Sequence, residues 1–151
     1  MIEKEYGDLT PGDVRNSIGR TVTETDVVNF CMLTGNWLEL HSNAEFAKNT
    51  RFGQRVVQGT LVFSIVNAMF PFDSGLVEVF YGVDRLRFLA PTFIGDTLHE
   101  RREIIRMKDR DDTAGIVTVL LEGVNQHKTR VMSCEFSLLI RKVRRPASNG
   151  D

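Results

Sequence analysis

Polar and apolar positions follow different periods in the two halves of the chain. Between residues 21 and 70, apolar residues recur three and four positions apart, which is the spacing of an α-helix that buries one face. From about residue 75 onward, apolar and polar residues mostly alternate, which is the spacing of a β-strand. The pattern therefore predicts a helical first half and a second half made of strands.

The first two helices are predicted from their start and stop signals. Thr23 is a suitable N-cap, Asp26 can bond back to it as a weak capping box, and Gly35 marks the end of this helix. A second, short helix is expected in "NAEFAKNT", capped by Ser42 or Asn43. Within the stretch "LTGNWLELHSNAEFA", Asn36 and His41 are then expected on a loop between the two helices.

A third helix is predicted from Gly59 to about Phe70, in "GTLVFSIVNAMF". Its apolar residues lie on nearly all sides of the helical wheel, so we expect it to be surrounded by protein. Only an extended sheet downstream offers enough surface to cover it. An α+β fold, with a long antiparallel sheet wrapped around one central buried helix, buries both this helix and one face of the sheet.

Five stretches of the second half are predicted to be strands, on their alternation and on the turn residues between them. They are "GLVEVFY", "VDRLRFLA", "TLHERREIIRM", "GIVTVLLEGVN" and "RVMSCEFSLLIR". In the second of these, Leu86, Phe88 and Ala90 share one face, while Arg85 and Arg87 share the other. The third is polar on much of both faces. The edges of such a sheet favour pairing with another copy, so we expect a homodimer or a higher homo-oligomer.

Composition and charge narrow the class of protein. The formal net charge of −1 gives no reason to expect a nucleic-acid partner, and no apolar run is long enough for a membrane span. The acidic, polar N-terminus does not resemble a signal peptide, and Cys31 and Cys134 fit buried free thiols, so a cytoplasmic location is expected. We expect one domain over residues 1–145 and a disordered tail over 146–151.

The segment from residue 21 to 61 resembles the MaoC-like dehydratases, also called (R)-specific enoyl-CoA hydratases. The resemblance rests on a hydratase motif and extends through "VDRLRFLAPTFIGDTL" to the final hairpin. The positions that match the motif are Thr34, Gly35, Leu40, His41 and Asn43. The positions that depart from it are Asn36 for an Asp, Leu38 for an Asn, Glu39 for a Pro and Gln58 for the His of a His-Gly pair.

The resemblance implies a hot-dog fold and hydro-lyase chemistry on an α,β-unsaturated acyl-CoA thioester. It implies that residue 36 and His41 bind and activate water, and that the N–H of Gly59 holds the thioester oxygen. The residue types at positions 41 and 59 agree with the roles that the resemblance implies for them. Imidazole titrates near neutrality, which suits His41 as a base. The first N–H groups of a helix lack intrahelical partners, so Gly59 is a good anion donor.

Asn36 leaves it open whether the chain catalyses this reaction, because an amide can hold a water molecule but cannot accept a proton. His41 must then carry both proton transfers, or Glu39 must help. The alternatives are a slow hydratase, a non-catalytic acyl-CoA-binding protein and the inactive subunit of a heterodimer. A thioesterase is a further alternative, since hot-dog proteins also hydrolyse acyl-CoA.

The remaining candidate residues would contact substrate. Trp37, Ser64 and Gln58 are predicted to bind it, and Phe52 could join Trp37 in lining an acyl pocket. Four arginines could meet the phosphates of coenzyme A: Arg51, Arg55, Arg85 and Arg87. No metal-binding spacing and no glycine-rich phosphate loop are found, so no cofactor is expected beyond the coenzyme A carried by the substrate.

Overall fold

Residues 4–144, the part of the chain that the computed structural model describes, combine short helices with an antiparallel sheet. The predicted tail, 146–151, lies outside the described residues. The helices are α1 Glu24–Thr34, α2 Glu39–Ser42, α3 Ala44–Lys48 and α4 Gly59–Asn67, preceded by a 3-10 turn at Tyr6–Asp8. The strands are β1 Val14–Asn16, β2 Arg20–Thr21, β3 Val77–Phe88, β4 Thr97–Asp109, β5 Ala114–Val124 and β6 Arg130–Arg141.

The sheet has the strand order β1-β4-β5-β6-β3, with β2 also paired to β4. Strands β4, β5 and β6 follow one another as antiparallel neighbours, whereas β3 lies at the edge and pairs with β6. Helix α4 crosses the inner face of this sheet. A Cβ at Gly123 of β5 would lie 2.9 Å from Val66, so this glycine lets the helix approach closely.

The start and stop signals of the helices are confirmed. The Thr23 hydroxyl accepts from the Asp26 N–H, the Asp26 carboxylate accepts from the Thr23 N–H, and Gly35 ends α1 with a left-handed φ of 71°. Asn43 caps α3 by accepting from the Phe46 N–H. The loop predicted before α3 is interrupted by α2, a single helical turn. Four residues are too few to show a helical period, so α2 has no sequence signal.

Helix α4 begins at Gly59 as predicted but ends at Asn67 rather than at about Phe70. Its apolar side chains are buried on the sheet side: Leu61, Val62, Ile65 and Val66. The opposite side carries Thr60, Ser64 and Ala68, which are exposed in the single chain. The helix therefore packs through one face, and the prediction of contact on all sides is wrong for one chain by itself.

The two stretches "GLVEVFY" and "VDRLRFLA" form one strand, β3, and not two. The register between β3 and β6 shifts between Asp84 and Arg87, and Arg85 has a left-handed φ of 54°. A second register shift, between Phe80 and Gly82, lies where the two predicted stretches divide, and such irregularities break the alternation of side chains. Phe88 is consequently half exposed, although Leu86 and Ala90 are partly buried.

The inner face of β4 carries two charged side chains that are almost inaccessible to solvent. Glu100 is 0% exposed and Arg102 is 3% exposed, and the Nε–H of Arg102 donates to Oε1 of Glu100 at 2.5 Å. The guanidinium also lies 5.4 to 5.9 Å from the ring centroids of Phe70, Phe72 and Phe136. Burial raises the pKa of the Glu100 carboxyl to about 7, although Arg102 opposes this effect.

Both cysteines are free and buried, as predicted. Cys31 is in α1 and Cys134 is in β6, where burial raises the pKa of the thiol to about 11. A thiol with so high a pKa is inert as a nucleophile near neutrality. No helix within residues 4–144 has the length and apolar character needed to cross a membrane.

Candidate functional site

A cavity of about 310 Å³ lies where the chain enters α4. His41 and Gly59 both line it, so the structure brings together two of the three residues predicted to carry the chemistry. Most of the remaining wall is apolar, including Phe52, Val62 and Phe88. An apolar cavity with a few polar groups is the usual form of a small-molecule site.

The imidazole of His41 is held in one orientation by the backbone of residue 56. His41 lies in α2, and its Nδ1 is 2.6 Å from the carbonyl oxygen of Val56. The Val56 N–H in turn donates to the carbonyl of Leu40 at 3.1 Å, which ties the two segments together. Since a carbonyl only accepts, Nδ1 carries the proton in neutral His41, and Nε2 keeps a free lone pair. The ring is therefore prepared to act as a base through Nε2.

The first turn of α4 leaves backbone donors at the cavity. Gly59 is the first helical residue, and no side chain caps this end of the helix. The N–H groups of the first turn have no intrahelical acceptor, and the helix dipole favours negative charge beside them. Gly59 also has a packing role, because a Cβ on it would lie 2.6 Å from the ring of Phe88. The site therefore has an anion donor and a base in one cavity.

The structure does not bring Asn36 into the lining of this cavity. Its side chain turns back on its own loop, where Oδ1 lies 3.5 Å from the N–H of Leu38, and the residue is exposed. Trp37 is 52% exposed and also lies outside the lining. The predicted convergence of Asn36 with His41 is thus not observed in the single chain, because Asn36 lies in the loop between α1 and α2, whereas His41 lies within α2.

Two further predicted substrate contacts point elsewhere. The Gln58 side chain is 1% exposed and its Nε2 donates to the sulfur of Cys31 at 2.9 Å, within the core. The Ser64 hydroxyl donates to the Thr60 carbonyl at 2.9 Å on the exposed side of α4. Neither residue lines the cavity. Local packing explains both positions. Gln58 precedes α4 on its buried side, and Ser64 lies on the exposed side of the helix.

The predicted phosphate contacts divide into two groups. Arg51 lines the cavity, and its guanidinium carbon lies 4.8 Å from the ring centroid of Phe52. The other three lie outside the lining. Arg55 and Arg85 are engaged by Glu24 and Glu135, respectively, and Arg87 donates to the Leu86 carbonyl at 2.7 Å. Arg51 is therefore the arginine of this set that is placed to meet an anionic substrate at the cavity.

Sequence reasoning missed two contributors to the site. The Val56 carbonyl carries no side-chain signal, and its role appears only when Val56 and His41 are brought together. Phe88 ends the edge strand β3, and its position against Gly59 depends on the register between distant segments. Its place in the apolar set with Leu86 was visible, but the bulge that turns it toward the cavity was not.

Comparisons with known proteins agree with this architecture. The sequence model of the "MaoC like domain" matches residues 8–125. Protein MaoC of Klebsiella aerogenes is 37% identical over 65% of this chain and 30% of its own length. Beta-methylmalyl-CoA dehydratase of Chloroflexus aurantiacus is 31% identical over 82% of this chain and 36% of its own length. The chain thus spans about a third of the length of these relatives.

Solved structures extend the likeness to the fold. The X-ray structure of a monoamine oxidase regulatory protein from Archaeoglobus superimposes with a TM-score of 0.88 at 38% identity, covering 93% of this chain and 95% of that one. A Mycobacterium tuberculosis protein described as a double hot-dog fold superimposes with a TM-score of 0.81 at 18% identity, over 98% of this chain and 48% of that one. The long antiparallel sheet around a central helix is thus a hot-dog fold, and the chain belongs to the MaoC-like domain family.

Proposed function

We propose that this chain is a hydro-lyase that adds water to, or removes it from, an α,β-unsaturated acyl-CoA thioester. The observation that carries the proposal is the shared cavity of His41, with its free Nε2, and Gly59, at the uncapped start of α4. Membership of a family that includes a relative named as an acyl-CoA dehydratase supports the same reaction. The apolar wall suits an acyl group, and Arg51 suits a phosphate.

In the hydration direction, Nε2 of His41 takes a proton from water as the water oxygen bonds to Cβ of the enoyl group. The electron pair of the double bond moves toward the thioester oxygen, and the N–H of Gly59 stabilises the enolate. The imidazolium then gives its proton to Cα. The product is a 3-hydroxyacyl thioester, and His41 returns to its neutral form. Dehydration is the same sequence in reverse.

In this scheme a single residue performs both proton transfers. Asn36 cannot exchange a proton, so its contribution is limited to holding water or the loop. Glu39 does not supply the missing carboxylate, because its Oε1 accepts from Nδ2 of Asn43 at 3.0 Å and the residue is outside the cavity lining. His41 therefore alternates between base and acid.

The test is the loss of enoyl-thioester absorbance when the protein is mixed with crotonyl-CoA. We expect turnover by the native chain and a loss of about 10²- to 10⁴-fold in kcat for His41→Ala. The matched control is His127→Ala, since His127 is exposed in the turn between β5 and β6. Absence of turnover with crotonyl-CoA and with branched or longer enoyl esters, at high protein concentration, would refute the enzymatic function.

A second candidate is a non-catalytic acyl-CoA-binding protein or the partner subunit of a heterodimer. Asn36, in place of the Asp that the family motif has there, favours it, as does its absence from the cavity lining. The variant Asn36→Asp separates the two candidates. Activity that arises only in this variant would identify the native site as degraded, whereas native activity abolished by His41→Ala would exclude a purely structural subunit.

We also propose that the chain assembles as a homodimer through β3. Within residues 4–144 this strand pairs only with β6, and its exposed side chains include Val79, Phe80 and Tyr81. An unpaired strand edge with exposed apolar side chains favours pairing with a second copy. Light scattering after size exclusion should give a dimer for the native chain and for Phe46→Lys, and a monomer for Tyr81→Lys. A native monomer would refute the assembly.

A further inference from the structure

The wall of the cavity at the start of α4 contains a hydroxyl that has no partner within residues 4–144. Thr92 lines this cavity and is 3% exposed. Its hydroxyl forms no hydrogen bond with any residue of that range. Unlike the unpaired Oε1 of Gln58, the hydroxyl oxygen is not fully enclosed by protein atoms. Since the polar groups of buried residues are generally hydrogen-bonded, a free hydroxyl on a buried residue at a cavity indicates a ligand.

Backbone contacts fix Thr92 beside the segment that carries the proposed chemistry. Its carbonyl accepts from the Val57 N–H at 2.8 Å, and the next residue, Phe93, forms an antiparallel bridge with Val56. Directly opposed residues of an antiparallel pair share one face, so the side chains of Thr92 and Val57 lie on the same side. Both residues line the cavity. Because the Val56 carbonyl also holds the imidazole of His41, one short segment positions both Thr92 and His41.

The reacting water of the proposed hydration needs a second polar contact besides Nε2 of His41. Asn36, at the position that the motif assigns to water binding, lies outside the cavity lining. Among residues 4–144, three that line the cavity have polar side chains: His41, Arg51 and Thr92. Arg51 only donates hydrogen bonds, so it cannot accept from a water molecule, whereas a hydroxyl can do both. Thr92 is therefore the lining residue whose side chain suits this contact.

We propose that the Thr92 hydroxyl holds the reacting water together with His41, in the role that the motif gives to residue 36. The inference rests on the proposed function, since it concerns the water of that reaction. In hydration, the water gives one proton to Nε2 of His41 and donates its other O–H to the Thr92 oxygen. These two contacts direct the attacking lone pair at Cβ of the enoyl group. Thr92 exchanges no proton, so His41 still performs both transfers.

The experiment compares Thr92→Val with a matched control, Thr118→Val. Both substitutions replace a hydroxyl by a methyl group at a buried position, but Thr118 lies outside the cavity lining and its hydroxyl is 3.0 Å from that of Ser137. With crotonyl-CoA, Thr92→Val should lose about tenfold in kcat, which corresponds to one hydrogen bond made in the transition state. Thr92→Ser keeps the hydroxyl and should retain most of the native kcat. Thr118→Val should keep the native kcat.

Two further measurements separate a water contact from other roles of the Thr92 hydroxyl. Butyryl-CoA has the thioester but no double bond to hydrate, so calorimetry should give the same affinity for the native chain and Thr92→Val. Weaker binding by the variant would identify a contact with the thioester and overturn the inference. The urea midpoint should be unchanged in Thr92→Val and lowered in Thr118→Val, which loses the contact with Ser137. A lowered midpoint in Thr92→Val would reveal a structural partner for the hydroxyl and would also overturn the inference.

The kinetic outcomes distinguish this inference from the function on which it rests. Native turnover with an equal kcat in Thr92→Val overturns the role of Thr92 and leaves the hydro-lyase proposal intact. Absence of turnover by the native chain with every enoyl ester refutes the hydro-lyase proposal, and the role of Thr92 fails with it. The inference is supported by a loss of kcat in Thr92→Val that Thr92→Ser restores, with the affinity for butyryl-CoA and the urea midpoint unchanged.

Discussion

The buried carboxyl of Glu100 should make folding stability fall as the pH rises toward neutrality. Its side chain is 0% exposed, and burial raises its pKa from 4.5 to about 7. Between these two values the folded chain keeps a proton that the unfolded chain releases. The folded state therefore binds more protons in this interval, and the free energy of unfolding decreases with rising pH.

The size of this effect follows from the difference between the two pKa values. Each pKa unit corresponds to about 1.4 kcal/mol, so the interval from 4.5 to about 7 gives a loss of about 3 kcal/mol. Most of the loss falls between pH 5 and 7, and it is complete about one pH unit above the folded pKa. The pKa of about 7 for Glu100 includes the effect of Arg102, whose charge lowers the pKa that burial alone would produce.

The variant Glu100→Gln removes this titration and keeps the shape of the side chain. Urea denaturation at several values between about pH 5 and pH 7.5 gives the free energy of unfolding for the native chain and the variant. The native value should fall by about 2 kcal/mol relative to the variant across this range. The exposed control Glu45→Gln should retain the native dependence. A constant difference between the native chain and Glu100→Gln at all pH values would refute the reasoning.

Two further predictions concern packing and capping. Gly59→Ala places a Cβ 2.6 Å from the Phe88 ring and should lower the free energy of unfolding by about 1 to 3 kcal/mol, and by less than about 1 kcal/mol when Phe88→Ala is also present. If a double-mutant cycle measured by urea denaturation shows no coupling between positions 59 and 88, the predicted contact between a Cβ at position 59 and the Phe88 ring is contradicted. Thr23→Ala removes the capping box of α1 and should cost about 1 kcal/mol in the same assay, whereas Ser74→Ala should cost less.

Local signals predicted the parts of the fold whose stabilising contacts lie within a few residues. The capping box of Thr23 and Asp26 spans three positions, and Gly35 adopts the left-handed conformation that ends α1. The start of α4 at Gly59 and the three long strands β4 to β6 also follow from short-range patterns. The ends of these elements were harder to predict from the sequence, since α4 stops at Asn67 although apolar residues continue beyond it.

Contacts between distant segments decided the features that the pattern could not predict. The pairing of β3 with β6 runs through two register shifts, one at the junction of the two predicted stretches and one at Arg85, shortly before Phe88. Gln58 turns to Cys31, 27 positions earlier in the chain, and not into the cavity. The motif placed Asn36 and His41 together by sequence spacing, but His41 lies within the single turn of α2, whereas Asn36 lies in the loop before it, with its Oδ1 toward the Leu38 N–H.

The two sides of the cavity differ in how firmly one chain can hold them. His41 and Gly59 depend on the core side, where the Val56 carbonyl fixes the imidazole and Gly123 seats α4 on the sheet. Phe88 depends on β3, whose outer edge has no partner strand among residues 4–144. Pairing of that edge with a second copy, as proposed, would stabilise the part of the cavity wall that Phe88 forms. The proposed assembly would therefore act on this wall, whereas the proposed proton transfer by His41 depends on contacts that each chain makes for itself.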